Sequence, residues 1–352
     1  MAFARRAMRC SSSPSLAIFT RSARSGGRRK LRSVFTKRLE SIPLIRSNDF
    51  SDVRGFPLYP EADVLPAYTE IKTPLVICAD DFLAIAHYSV VSRDYGGVDA
   101  ARFASMGLVN IEPVITAPPP SSLVVNDPAV RLNELIATLA QLYRLPLDAA
   151  ATRAVLADLG RTGEGEESLQ TYAAQTLPAP GPARAALERR SPLENELIDL
   201  LAPHYGSIVR GRRLDVLEWP PFALLRPDFP DRLTVGPIDL TGPARFIYYG
   251  RYFALPIGRW RADLVLEVSE CLSDNQIAID VVAGSVLAIL KAKLPPQGVY
   301  GCEIEFEIRN PSDPVEIRLQ LLTGAIEGLL MLRSVHLRRI TPPEGGGQRG
   351  AL

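Results

Sequence analysis

Arg259-Trp260-Arg261-Ala262-Asp263-Leu264-Val265-Leu266-Glu267-Val268 alternates with a period of two. Trp260, Ala262, Leu264, Leu266 and Val268 share one face, while Arg259, Arg261, Asp263 and Glu267 share the other, the pattern of a strand with one side buried and one in water. Two later stretches repeat it. Cys302, Ile304, Phe306 and Ile308 alternate with Glu303, Glu305, Glu307 and Arg309, and Val315, Ile317, Leu319 and Leu321 alternate with Glu316, Arg318 and Gln320. Turn-forming clusters separate the strands: Pro256-Ile257-Gly258, Ser273-Asp274-Asn275, Pro295-Pro296-Gln297-Gly298, Asn310-Pro311-Ser312-Asp313 and Thr323-Gly324. About eight such strands, each with one apolar face, cannot bury those faces in one open sheet and close into two packed sheets. The segment from about Thr241 to Ile340 is therefore expected to be an all-β sandwich of the jelly-roll kind.

Within it, Tyr252-Phe253-Ala254-Leu255-Pro256-Ile257-Gly258-Arg259-Trp260-Arg261, the alternating strands and a closing Val335-His336-Leu337-Arg338-Arg339-Ile340 strand resemble the galactose-binding-like, carbohydrate-binding-module-like jelly rolls that accompany polysaccharide-handling proteins. The resemblance covers under a third of the chain, and the remainder resembles nothing recognisable. It implies a sandwich with a core tryptophan. Phe-x-Leu-Pro-x-Gly-x-Trp is a cue to fold, a strand followed by a tight turn, and does not itself transfer a binding function.

Proline and glycine clusters at Pro118-Pro119-Pro120, Pro178-Ala179-Pro180-Gly181-Pro182, Trp219-Pro220-Pro221 and Pro342-Pro343 punctuate the chain. A short strand, Leu75 to Ala79, a helix, Asp81 to Ser92, and an apolar extended stretch, Val109 to Thr116, are expected first. A helix capped by Asn126 or Asp127, with Pro128 in its first turn, carries Val130, Leu132, Leu135, Ile136, Leu139 and Leu142 at helical spacing. A second helix capped by Asp148 and ended by Gly160 completes a hairpin, Gly163 to Ser168 reads as a surface loop, and Leu193 to Leu201 as a short helix. The fold class expected is α+β and multidomain: a basic disordered arm (1–50), a mixed α/β and helical domain (51–205), a linker (206–236), the sandwich (237–341) and a disordered tail (342–352).

With 40 Lys and Arg against 39 Asp and Glu, the chain of 352 residues has no global field to attract nucleic acid or anionic lipid. Met1 to Leu39 is the local exception: acid-free, Arg-rich and Ser-rich, it suits contact with anionic surfaces, organelle targeting, a plain tail or an over-extended start. A cytoplasmic location is expected, with organelle targeting through this arm as the alternative. Cys10, Cys78, Cys271 and Cys302 have no Cys-x-x-Cys spacing, which favours a reducing compartment; a Cys271–Cys302 disulfide stays open as a minor alternative. No run approaches the roughly 18 apolar residues of a membrane span.

No phosphate-binding loop, dinucleotide-binding turn, nucleophile elbow or His-Glu-x-x-His occurs, and His87, His204 and His336 are the only histidines. No catalytic residue, metal ligand or cofactor is therefore assigned. The best binding candidates lie in the stretch from Phe246 to Phe253, because sugar rings stack on aromatics and their hydroxyls suit Arg partners. Tyr248, Tyr249, Arg251 and Tyr252 are the ligand-binding candidates, with Tyr249 and Arg251 as the exposed pair. The expected function is an accessory or binding protein whose sandwich holds a glycan or a protein partner, in the setting of polysaccharide biosynthesis. Two alternatives remain. Asp80 and Asp81, after the strand Leu75 to Ala79, could serve a glycosyltransferase-like enzyme by holding the metal of a nucleotide sugar, although either suits a helix cap better; or the chain is a structural assembly subunit.

Overall fold

A computed structural model describes residues 75–176, 185–188, 191–229, 233, 235–250 and 252–340, together with the backbone of 17–20 and 32–35. Residues 1–71 and 72–352 form two separate compact units. In the first, β1 (Ala17–Thr20) pairs antiparallel with β2 (Arg32–Phe35), Ala17 opposite Phe35 and Thr20 opposite Arg32. These eight residues lie within the stretch expected as a basic disordered arm, and Ile18, Phe19, Val34 and Phe35 are residues that favour a pleated backbone. The remainder of the arm, Cys10, the 178–182 cluster and the tail 342–352 lie outside the described residues.

The second unit is mixed α+β. Its β part comprises β5 (Val216–Trp219), β6 (Ile238–Asp239), β7 (Arg245–Tyr248), β8 (Gly258–Ser269), β9 (Gln276–Ala283), β10 (Ser285–Lys293), β11 (Gly298–Ile308), β12 (Glu316–Leu321) and β13 (Leu329–Ile340). One antiparallel sheet runs β11-β8-β13-β5, with β6 also on β13, and the other runs β10-β9-β12-β7. Trp260, Leu264, Leu266, Ile304, Phe306, Leu332 and Val335 from the first sheet and Ile247, Ile279, Val281, Ile317 and Leu319 from the second are buried, so the period-two residues enclose one core. Trp260 is fully buried, and its indole N–H donates to the Pro256 carbonyl at 2.9 Å. Cys271 and Cys302 are free thiols, the first buried and the second half-buried, so no disulfide joins them.

The stretch 206–236, read as a linker, supplies β5 to this sandwich, with Leu217 opposite Leu337 and Trp219 opposite Val335. Val216-Leu217-Glu218-Trp219 does alternate exposed and buried, but four residues are too few for the period to stand out from background.

The helical part begins with β3 (Leu75–Cys78), which pairs in parallel with β4 (Ser122–Val125) across a crossover made of α1 (Phe82–Arg93) and α2 (Gly97–Thr116). The expected extended stretch Val109 to Thr116 is instead the end of α2. Val109, Ile111, Val114 and Ile115 are all buried, but so are Asn110 and Glu112; the apolar/polar alternation of Val109-Asn110-Ile111-Glu112 imitates a strand, and the stretch is too short for the helical period to show. Then come α3 (Leu132–Leu142), α4 (Ala149–Asp158), α5 (Leu169–Thr176) and α6 (Pro192–Val209). α3 starts later than Asp127 because the carbonyls of Pro128 and Val130 accept from the N–H groups of Gln170 and Leu169, and Asp127 closes a local turn onto the Ala129 N–H. α4 is capped as expected, the Asp148 carboxylate accepting from the Ala151 N–H at 2.7 Å. α6 runs past Leu201 because Tyr205, Ile208 and Val209 continue its buried stripe. The Phe82 ring stacks on Tyr205 at 5.2 Å, and the Glu194 carboxylate of α6 accepts from the Gly97 N–H at the start of α2. A Cβ at Gly97 would stand 2.7 Å from that of Glu194, so only glycine allows this approach.

Two contacts fasten helices to sandwich. Tyr205 donates its hydroxyl to the Ala254 carbonyl at 2.9 Å, its pKa driven far up by full burial. Glu112 of α2, itself buried, accepts from Arg339 of β13 at 3.0 Å and from the Leu214 N–H at 2.9 Å, and Arg339 also donates to the Ile257 carbonyl. Removing one member of a buried pair leaves the other charged and desolvated. Glu112→Ala is therefore expected to lower unfolding free energy by about 3–5 kcal/mol in urea melts; the double variant Glu112→Leu with Arg339→Met should recover most of that loss, whereas a double loss equal to the sum of the singles would show no coupling.

Candidate binding site

β7 leaves the sheet after Tyr248 and the chain crosses toward α2. Tyr249 exchanges two backbone hydrogen bonds with Leu225, at 2.9 and 3.0 Å, and two residues after Gly250 the backbone turns through Tyr252 in the left-handed region, φ 60°. Phe253 then bridges Val315 and is buried, so Tyr252 is left on the rim, about one-third exposed. Gly250 is required here, because a Cβ would meet the Glu316 side chain at 2.3 Å.

β12 carries Glu316, Arg318 and Gln320 on the face of its sheet turned away from the core. They lie opposite Val282, Asp280 and Ala278 of β9, and Phe246 of β7 lies opposite Gln320. Arg318 forms a fork onto Asp280, Nε to Oδ1 at 2.8 Å and Nη2 to Oδ2 at 2.5 Å, and its guanidinium stands over the half-exposed Phe246 ring at 5.3 Å. These hydrogen bonds hold the Arg318 pKa above its ordinary value. Nη1 of Arg318 donates to no described residue, so a fixed guanidinium offers one open edge beside an aromatic face. Tyr252 joins this platform through its hydroxyl, which donates to Glu316 at 3.3 Å.

On its other side Tyr252 faces α2. Asp99, Arg102, Phe103 and Met106 recur at helical spacing on one stripe of that helix, opposite the buried Ala100, Ala101, Ala104 and Leu108. With Tyr252, Ala254, Ser312 and Pro314 they line an open cleft of about 480 Å³. Arg102 pairs with Asp99 at 2.9 Å and lies over the Tyr252 ring at 4.8 Å, while Phe103 meets Tyr95 edge-on and carries the Arg93 guanidinium at 4.4 Å. Platform and cleft thus share Tyr252.

Of the residues expected to bind ligand, Tyr252 lies between the two and Tyr249 is half-buried behind it. Tyr248 points into the sandwich, 4% exposed, its hydroxyl accepting from the Leu332 N–H at 3.5 Å. Arg251 lies outside the described residues. Asp81 caps α1, accepting from the Ala84 N–H at 2.6 Å, and Asp80 accepts from the Asp81 N–H at 2.9 Å. Among the described residues no third His, Cys, Asp or Glu joins them. Burial holds the Asp80 carboxyl above its ordinary value. Arg318, Asp280, Glu316 and the α2 stripe escaped the sequence reading; only the stripe had a local signal, its spacing of three and four residues.

No family model and no curated protein matches the chain. Among solved structures it is similar to TmCBM61 in complex with beta-1,4-galactotriose, at 14% identity over 30% of this chain and 69% of that one, TM-score 0.22. It is also similar to the xylan-binding module CBM15, at 11% identity over 30% and 97%, TM-score 0.21. A cyclase from Fischerella sp. TAU in complex with 4-(1H-indol-3-yl)butan-2-one aligns at 14% identity over 29% and 58%, TM-score 0.21. Likenesses of this size carry no ligand, fold or activity to this chain.

The setting of Tyr252 is open to measurement. Burial first, and then the negative charge of Glu316, push its phenol pKa above the ordinary 10.0. In difference absorbance titrations against Tyr252→Phe, the Tyr252 signal is expected to move to lower pH in Glu316→Gln; an unmoved signal would mean that Glu316 does not face the phenol.

Proposed function

We propose that the protein is a non-catalytic binding protein whose β-sandwich holds a glycan on the Phe246–Arg318–Tyr252 platform, in an accessory role beside machinery that assembles polysaccharide. The observation that carries this is the Arg318 fork. Asp280 fixes the guanidinium against the Phe246 ring and, among the described residues, leaves Nη1 without an acceptor, so an aromatic face and an oriented cationic donor stand side by side without further ordering cost. A pyranose presents an apolar C–H face to such a ring and hydroxyls to such a donor. Glu316, buried on the same row of β12, accepts from the Tyr252 hydroxyl and so holds that ring at the edge of the platform. The sequence resemblance to carbohydrate-binding jelly rolls points the same way.

The test is a glycan array probed with the full chain, followed by calorimetry on the best oligosaccharide. Phe246→Ala and Arg318→Lys are each expected to weaken binding about tenfold, ~1.4 kcal/mol, the lysine because it keeps the charge but loses the fork. Absence of any glycan ligand, or affinity unchanged in both variants, would overturn the proposal.

A further inference from the structure

The cleft beside the platform has a different chemistry. Its wall is made by the rings of Tyr95, Phe103 and Tyr252 and by Met106, Ala254 and Pro314, with the Ser312 side chain beside them. Its charged groups, Arg102 and Asp99, are already paired with each other at 2.9 Å, with Arg102 further engaged over the Tyr252 ring. A sugar seated there would set most of its hydroxyls against the carbon of Phe103, Met106, Ala254 and Pro314, at the cost of their hydration. A phosphate or uronate would have to compete with Asp99 for Arg102. An apolar, flat group meets neither cost, and an unbranched methionine between two rings adapts to its outline. The volume, about 480 Å³, falls within the range of small-molecule sites and exceeds what one aromatic ring needs.

We infer that the cleft is a second subsite, for an aromatic or other apolar group carried on the glycan, so that the natural ligand is a glycoside with an apolar aglycone rather than a plain oligosaccharide. This rests on the platform holding the sugar. Continuity supports it: Tyr252 turns its ring to the cleft and donates its hydroxyl to Glu316 at the edge of the platform. A ligand spanning both halves would pass directly over that residue.

Calorimetry with the full chain separates the two claims, using pairs of methyl and 4-nitrophenyl glycosides of the same sugar. The nitrophenyl member is expected to bind about tenfold more tightly. Phe103→Leu, which removes the ring but keeps an apolar side chain, and Ser312→Trp, which fills the cleft from its opposite wall, should each erase that advantage while leaving the methyl glycoside's affinity unchanged. Equal affinity of the two glycosides overturns this inference and leaves the glycan reading standing. Nitrophenyl binding that survives Phe246→Ala but is lost in both cleft variants upholds the apolar subsite and sinks the platform. Failure of both glycosides to bind overturns both.

Discussion

The contact between Glu112 and Arg339 decides how the helices stand against the sandwich. Arg339 closes β13 on the same phase as Val335 and Leu337, both buried, so a guanidinium occupies a position where the strand pattern calls for a hydrophobe. A charge in that place must be met, and the chain meets it with a carboxylate from a helix 227 residues earlier. Such a pair adds little net stability, because desolvation offsets most of the attraction; its effect is on which arrangement is allowed. Sliding α2 by one turn would strand both charges. Arg102 lies ten residues before Glu112, roughly 15 Å along the same helix, so fixing one end of α2 fixes the stripe that faces Tyr252.

The other end of the assembly is held through the backbone between Phe253 and Pro256. Tyr205 of α6 donates to the Ala254 carbonyl, Ser105 of α2 accepts from the Ala254 N–H at 3.4 Å, and Trp260 takes the Pro256 carbonyl. Phe253 and Leu255 are fully buried. Tyr252 therefore has little choice: the chain must arrive at a buried Phe253 from an exposed turn, and it does so with a left-handed tyrosine. A non-glycine residue at such a φ costs on the order of 1 kcal/mol or more, sustained only because its neighbours are fixed on both sides. The strain sits on the residue common to the platform and the cleft.

This explains which parts were legible in the sequence. Strands β8, β11 and β12 were, because each buries one face over enough residues for a period of two to emerge. The end of α2 was not, since Asn110 and Glu112 alternate with Val109 and Ile111 as on a strand, although all four are buried on a helix packed nearly all round. For the site, strict alternation would put Phe246 and Tyr248 on one face. The pairing of β7 with β12 shifts between Leu319 and Gln320, which turns Phe246 outward opposite Gln320 and Tyr248 inward opposite Leu319. A bulge of this kind reassigns every side chain beyond it and leaves no local mark in Arg-Phe-Ile-Tyr. Asp280 and Arg318 are likewise ordinary outward strand residues until pairing places them opposite each other across 38 residues.

The same pairings bear on what the charged groups can do. Asp280 is committed through both oxygens to Arg318, Asp99 is engaged by Arg102, and Glu316 accepts from Tyr252. Carboxylates held in this manner orient the arginine and tyrosine donors they face. Rigidity on the sheet and adaptability in the cleft then divide the work. Arg318 is fixed before any ligand arrives, whereas Met106 and the Arg102–Tyr252 stack can adjust their outline. Tyr252 links the two, its hydroxyl donating to Glu316 on the sheet while its ring lines the cleft.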